Sequence, residues 1–167
     1  KKIKYKGVFV GYSILSTYIS FTRNPDLELD DNVRKYLNHL INQTCTLVDS
    51  AYNLIDKVSP DVICIFNGRF FETKPFFDIG KSKKIEIIIN EVIGSGSEDD
   101  PFKITNFINS MPHDISYLRK KVINTWNLSK DSEEEKVKIG ESFYINKRKS
   151  LKTGLVNYTK NQESGKL

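Results

Sequence analysis

Val62-Ile63-Cys64-Ile65-Phe66-Asn67-Gly68-Arg69 is an unbroken apolar run that ends in a polar turn, with Ser59-Pro60-Asp61 ahead of it. A short apolar run bounded by turn residues reads as a strand covered on both faces. Such strands belong to the parallel sheets of α/β folds, where ligands bind just past the strands' carboxyl ends. That places Asn67, Gly68 and Arg69 at the mouth of a site.

The flanking sequence supports this frame. Upstream, Val33, Leu37, Leu40, Ile41, Val48, Ala51, Ile55 and Val58 recur at three- and four-residue steps. They predict a helix over 31–58, capped by Asp30 or Asp31 and stopped by Pro60. The stretch is long enough for two helices, with an irregularity near Gln43-Thr44. Downstream, Thr73 to Gly80 reads as a short helix with Pro75 in its first turn. Ile85-Glu86-Ile87-Ile88-Ile89 is the next strand. This strand–helix–strand order predicts a right-handed crossover and parallel pairing. Tyr5 to Gly11 reads as a first strand, followed by a helix or an aromatic-rich loop to Thr22. Phe102 to Phe107 is a further candidate strand. Asp114 to Trp126 is an amphipathic helix with Ile115, Leu118, Val122 and Trp126 on one face. Ser132 to Lys147 is another helix, opened by a Ser132–Glu135 capping box. Together these predict a Rossmann-like three-layer α/β domain over residues 1–152, with a mainly parallel sheet of about four strands. Residues 153–167 lack periodicity and read as a linker.

The composition is that of an ordinary soluble globular chain, 38% hydrophobic over 167 residues. No stretch approaches the roughly 18 apolar residues of a membrane span. The basic start, Lys1-Lys2-Ile3-Lys4, has no apolar segment behind it and is not a secretory signal. It does not begin with Met, so residues are expected to precede it. Cys45 and Cys64 read as buried free thiols of a reducing compartment. The net charge of +5 is uneven: residues 136–167 hold eight basic and two acidic side chains, while 1–135 are nearly balanced. A basic tail attracts phosphates or an anionic membrane surface. The plainer reading is a solvated helix end whose cations oppose the helix dipole.

Few residues point to chemistry. Gly94-Ser95-Gly96-Ser97 lacks the third glycine of a dinucleotide fingerprint and the Lys-Ser/Thr of a P-loop. Acidic Glu98-Asp99-Asp100 follow it, so it reads as a surface loop and not a phosphate cradle. Glu98 and Asp100 have the spacing of a divalent-metal motif, but a solvated acidic turn explains them better, and no metal or cofactor is predicted. His113, behind Pro112 and before a helix, is a candidate acid/base, and Asp114 is that helix's natural cap. Locally, a loop histidine beside a capping residue is the simpler account. His39 lies inside the long helix and reads as structural. No nucleophile elbow, Cys–His pair, zinc spacing or nucleic-acid motif is present.

Three short motifs occur in order: Phe66-Asn67-Gly68-Arg69, Pro112-His113-Asp114 and Thr159-Lys160-Asn161-Gln162. In this order they resemble bacterial capsular and surface-polysaccharide biosynthesis proteins that look like glycosyltransferases of the two-domain GT-B architecture. The resemblance implies the N-terminal, acceptor-side domain of such an enzyme, inactive alone, with residues 153–167 leading to a missing C-terminal domain. It implies a nucleotide-sugar donor held mainly by that second domain and a glycan or lipid-linked acceptor. It further implies a cytoplasmic location at the inner face of the plasma membrane, with peripheral membrane contact and no nucleic-acid partner. His113 would be catalytic. Asn67, Gly68, Arg69, Glu91, Asp114, Lys160, Asn161 and Gln162 would bind substrate. Asn90-Glu91-Val92-Ile93 departs from the motif such proteins carry after the second strand. The alternative is a non-catalytic α/β nucleotide- or partner-binding module of the capsule machinery.

Overall fold

The computed structural model describes residues 2–23, 28–94 and 102–148. The fold is α/β, with helices α1 (Val10–Thr22), α2 (Asp31–Val58), α3 (Lys74–Ser82), α4 (Ile115–Leu128) and α5 (Glu133–Arg148). Strands β1 (Val62–Phe66), β2 (Glu86–Gly94) and β3 (Phe102–Ile108) form one mixed sheet in the order β1-β2-β3. The chain divides into two compact units, Lys1–Glu91 with Asn106–Asp114, and Val92–Thr105 with Ile115–Leu167.

In the first unit the long periodic segment is a single helix. Asp30 accepts a hydrogen bond from Val33 N at 2.8 Å and caps its start. Ser59 closes it in the left-handed region, φ +48°, donating its N–H to Ile55 O. The irregularity expected near Thr44 is absent. Thr44 is buried, and its hydroxyl bonds the Leu40 carbonyl one turn back at 2.6 Å, so a polar residue fits the apolar stripe without a break. Leu40, Val48, Ala51 and Ile55 form the rest of that stripe, and α2 packs it on α1 and α3. Burying each of the larger aliphatic side chains contributes about 1.5–3 kcal/mol.

The strand expected over residues 5–11 is not there. Tyr5 and Val8 exchange backbone hydrogen bonds of 3.0 and 2.9 Å around Lys6 (φ +47°) and Gly7 (φ +85°). This is a tight two-residue turn, and α1 starts at Val10. Val8 and Val10, from the apolar run Val8-Phe9-Val10 that suggested a strand, are instead anchored in the core, each 1% exposed. α1 buries Ser13 and Thr17 beside Val10 and Ile14, which hid its helical stripe. Ser13 Oγ donates to Val10 O, and Thr17 Oγ1 accepts from Phe71 N. The helix has no cap from its own neighbours. Asp78 of α3 supplies one, accepting the Phe9 N–H at 3.0 Å, while its other oxygen holds buried Lys74.

β1 and β2 pair in parallel, with Val62 opposite Glu86 through Phe66 opposite Asn90. β1 is an edge strand of the sheet and is not covered on both faces. Ile63 is buried and Ile65 half-buried, while Val62, Cys64 and Phe66 are exposed. An unbroken apolar run does not reveal which of its faces is covered, and here burial has a period of two. Cys64 is accordingly exposed, and Cys45 is half-buried with its thiol pKa raised by burial. α3 lies so close to the sheet that a Cβ on Gly80 would sit 3.0 Å from Ile63 Cδ1 and 3.2 Å from Ile87. Gly80 is thus a packing residue, and the helix runs on to Ser82. β3 lies on the other side of β2. Its end is pinned by Asn109 (φ +54°), whose backbone N–H bonds Ile87 O and whose side-chain oxygen accepts Ile87 N.

In the second unit, Ser132 and Glu135 form the expected capping box, each backbone N–H bonding the other's side chain. These bonds hold the Glu135 carboxyl below its usual range. Trp126 of α4 donates Nε1–H to Glu133 of α5 at 3.2 Å, and Lys136 lies over its ring. α4 buries no residue: Leu118 and Trp126 are half-buried, while Ile115 and Val122 of the same stripe are exposed. No described helix is long and apolar enough to cross a membrane. Residues 95–101 and 153–167 and the Lys149 part of the basic cluster lie outside the described residues.

Candidate functional site

At the carboxyl end of β1 the chain reverses within three residues. Asn67 has φ +61°, and Gly68 N donates to Phe66 O at 2.6 Å across it, the bonding of a γ-turn. A left-handed non-glycine residue persists only when its surroundings hold it there. Asn67 is buried, and its backbone N–H and both side-chain polar atoms are bonded. Its N–H meets Asn90 O at 2.9 Å, continuing the β1–β2 ladder by one residue. Its Nδ2 donates to Glu91 Oε2 at 2.5 Å, and its Oδ1 accepts from Arg69 N at 3.4 Å. Gly68 follows with φ +76°, and a Cβ there would lie 2.8 Å from Ile89 Cδ1 and 3.2 Å from Met111 Sδ. Glycine is favoured at this position by conformation, and a Cβ would also press on the ends of the Ile89 and Met111 side chains.

The loop after β3 forms the opposite side. Asn109 turns the chain, and Asp114 N bonds Met111 O at 3.0 Å. The buried Ser110 hydroxyl donates to Asp114 Oδ2 at 3.2 Å. Pro112 is buried and His113 exposed. This fold brings His113 Nε2 to 3.3 Å from Arg69 Nη1, across 44 residues of sequence. A guanidinium has donors only, so the contact is a hydrogen bond when Nε2 carries the lone pair and Nδ1 the proton. The Arg69 guanidinium also lies over the Phe70 ring, 4.8 Å from its centroid. Its Nε is shut off from solvent and has no hydrogen-bond partner.

Of the predicted site residues, Asn67, Gly68, Arg69, Glu91, His113 and Asp114 all belong to the first unit. Asn67, Arg69, Glu91 and His113 form one hydrogen-bonded chain, and Gly68 packs within it. Asp114 is tied to Ser110. Lys160, Asn161 and Gln162 lie outside the described residues. Phe70, Met111, Asn90 and Asn109 were missed by sequence reading. Gly68 was the available clue to the close approach of Ile89 and Met111. Among the described residues no group of acidic, histidine and cysteine side chains is arranged to hold a metal ion. A separate apolar groove of about 510 Å³ runs beside β1, between Leu54 and Val58 of α2 and Thr73 and Phe76. None of Asn67, Arg69, Glu91 or His113 lines it. No protein-family model, no curated protein and no solved structure matches the chain.

Chemically, the cluster presents one cation and one imidazole on a braced turn. Arginine's planar fork suits bidentate contact with a phosphate or carboxylate. An imidazole within reach can orient a hydroxyl or take its proton.

Proposed function

We propose that this chain is the N-terminal, acceptor-side domain, Rossmann-like around its β1–α3–β2 unit, of a glycosyltransferase. The enzyme moves a sugar from a nucleotide-sugar to a surface or capsular polysaccharide acceptor. The observation that carries this reading is the meeting of two sequence-distant motifs, through the 3.3 Å Arg69–His113 contact. It lies past the carboxyl end of β1 in the parallel β1–β2 pair, the end of a strand at which α/β sheets bind ligands. In this reading Arg69 holds an anionic group of the substrate, and His113 orients or deprotonates the acceptor hydroxyl. Asn67, Gly68 and Glu91 shape the floor beneath them, with Asp114 beside it. Lys160, Asn161 and Gln162 lead toward a C-terminal domain that binds most of the donor. No cofactor is invoked, and the domain alone is inactive. The acceptor places the enzyme at the cytoplasmic face of the membrane, with the basic residues after 136 as its peripheral contact.

The test is sugar transfer by the intact enzyme carrying Arg69→Ala or His113→Ala. Loss of an acid/base group lowers turnover by about 10²-fold or more. Unchanged rates in both variants would remove the proposed roles.

A non-catalytic partner-binding module is the second reading, favoured by the groove beside β1 and by the exposed Val62 and Phe66. Under that reading Phe66→Asp abolishes partner binding and Arg69→Ala leaves it intact.

A further inference from the structure

In the structure the two groups assigned to chemistry occupy each other. Arg69 Nη1 lies 3.3 Å from His113 Nε2, so in the Nδ1–H tautomer it sits on the lone pair a general base needs. The arginine itself is incompletely satisfied: its Nε is sealed from solvent with no acceptor, while its plane rests on Phe70. Buried donors almost always find a partner, and one without is a place to look for a missing ion or a functional state. A bidentate oxyanion bonds Nε and an Nη together. For Nε to meet such an anion the side chain must leave its present position. That same movement withdraws Nη1 from His113. The backbone beneath stays fixed, because Arg69 N is held by Asn67 and Asn67 by Glu91. Glu91 Oε2, the carboxylate oxygen facing the turn's side chain, is bonded to Asn67 Nδ2.

We infer that Arg69 masks His113 until a phosphate-type anion draws the guanidinium away, so that anion capture at Arg69 unmasks the base at His113. This rests on the glycosyltransferase reading only for its chemical use. There, the acceptor oxygen forms the new bond to the sugar's anomeric carbon. Its proton passes to the vacated Nε2 of His113, and the nucleotide diphosphate departs with the electron pair of the broken bond. A base exposed only with the anionic substrate in place limits wasteful transfer to water. The anion has two possible sources with one chemistry, the diphosphate of the donor nucleotide or the phosphate of a lipid-linked acceptor.

The experiment is ¹⁵N NMR of the 167-residue chain, reading the Arg69 Nε–H and the His113 ring nitrogens as inorganic pyrophosphate is added. His39 is the only other histidine, so His113→Gln assigns the spectrum. The expected result is that both signals move together along one binding curve. In Arg69→Ala the His113 ring already shows the unmasked position and no longer responds to pyrophosphate. Arg69→Lys keeps the charge without the fork and weakens binding by about tenfold to a hundredfold, as loss of a charge-assisted hydrogen bond does. An unchanged backbone amide spectrum shows that the variants fold. Parallel titrations with uridine diphosphate and a short prenyl diphosphate tell the sources apart by which binds more tightly. The inference is overturned if pyrophosphate moves neither signal, or moves His113 equally in Arg69→Ala. Transfer that depends on Arg69 without any pyrophosphate response would sink this inference and leave the glycosyltransferase reading standing. Coupled signals in a protein with no transfer activity would do the reverse.

Discussion

Replacing Gly68 with alanine tests whether the turn after β1 is braced from both sides. Two terms add. Alanine at φ +76° carries the left-handed penalty, about 1–2 kcal/mol. The new methyl would lie 2.8 Å from Ile89 Cδ1, a fully buried side chain, and 3.2 Å from Met111 Sδ. Overpacking of that kind costs about 1–3 kcal/mol. The sum, about 2–5 kcal/mol, is a large part of a domain's usual stability of about 5–15 kcal/mol. Gly7→Ala is the matched control, because Gly7 has φ +85° with nothing within 4 Å of its added Cβ. It should lose the conformational term alone. Urea denaturation followed by circular dichroism measures both. Ile89→Val, which removes the clashing Cδ1, should cost about 0.5–1.5 kcal/mol in the wild type and less in Gly68→Ala, a positive coupling in a double-mutant cycle. Equal losses for Gly68→Ala and Gly7→Ala, with no coupling to Ile89→Val, would refute the packing account of the turn.

Other consequences follow from the same contacts. Asp78→Ala leaves the Lys74 ammonium, at 9% side-chain exposure, without its partner and removes the acceptor for Phe9 N–H. It should destabilise by about 3–5 kcal/mol in thermal or urea unfolding, and the double change Lys74→Met, Asp78→Leu by much less. Glu91→Leu strips the acceptor from Asn67 Nδ2 and should lose about 1–3 kcal/mol, whereas Glu91→Gln keeps an acceptor and should lose less than half of that. Similar losses for both would show that the Asn67 bond is not what Glu91 provides. On the surface, the Lys6 hydrogen bond holds the Asp49 carboxyl below its usual range and Lys6 above its own. The pair's contribution is therefore present at neutral pH. It fades as pH falls through the lowered Asp49 pKa, and again as pH rises through the raised Lys6 pKa. Carboxyl ¹³C titration of Lys6→Met should find the Asp49 pKa raised toward its ordinary value; an unchanged midpoint would contradict the contact.

The parts of the fold legible in sequence were those written in local pattern. α2 announced itself by its stripe and cap, α5 by its capping box, and the β1–α3–β2 unit by two apolar runs around a short amphipathic helix. Residues 5–11 misled because Val8-Phe9-Val10 is a short apolar run like a strand's, while the Lys6-Gly7 turn that forbids one is a property of backbone angles. α1 was ambiguous because Ser13 and Thr17 lie on its buried face, satisfied by partners that only the fold brings near. β1 was read as a covered central strand because composition records apolarity and not which face is packed. Lys74 and Asp78, four residues apart, look in sequence like any solvated pair on a helix, yet the fold buries Lys74 and half-buries Asp78, which bonds Phe9 N just before α1. Within the site, Asn67-Gly68-Arg69 was visible as a polar strand end. Its junction with His113 was not derivable from local pattern, since it depends on Asn109 turning the chain after β3 and on Met111 packing against Gly68.

The most direct test of the central claim is the rate of sugar transfer by the intact enzyme when Arg69 and His113 are each replaced by alanine. The account predicts a fall in kcat/KM of about 10²-fold or more for His113→Ala and of about tenfold to a hundredfold for Arg69→Ala, with folding preserved. Wild-type rates in both variants would contradict it.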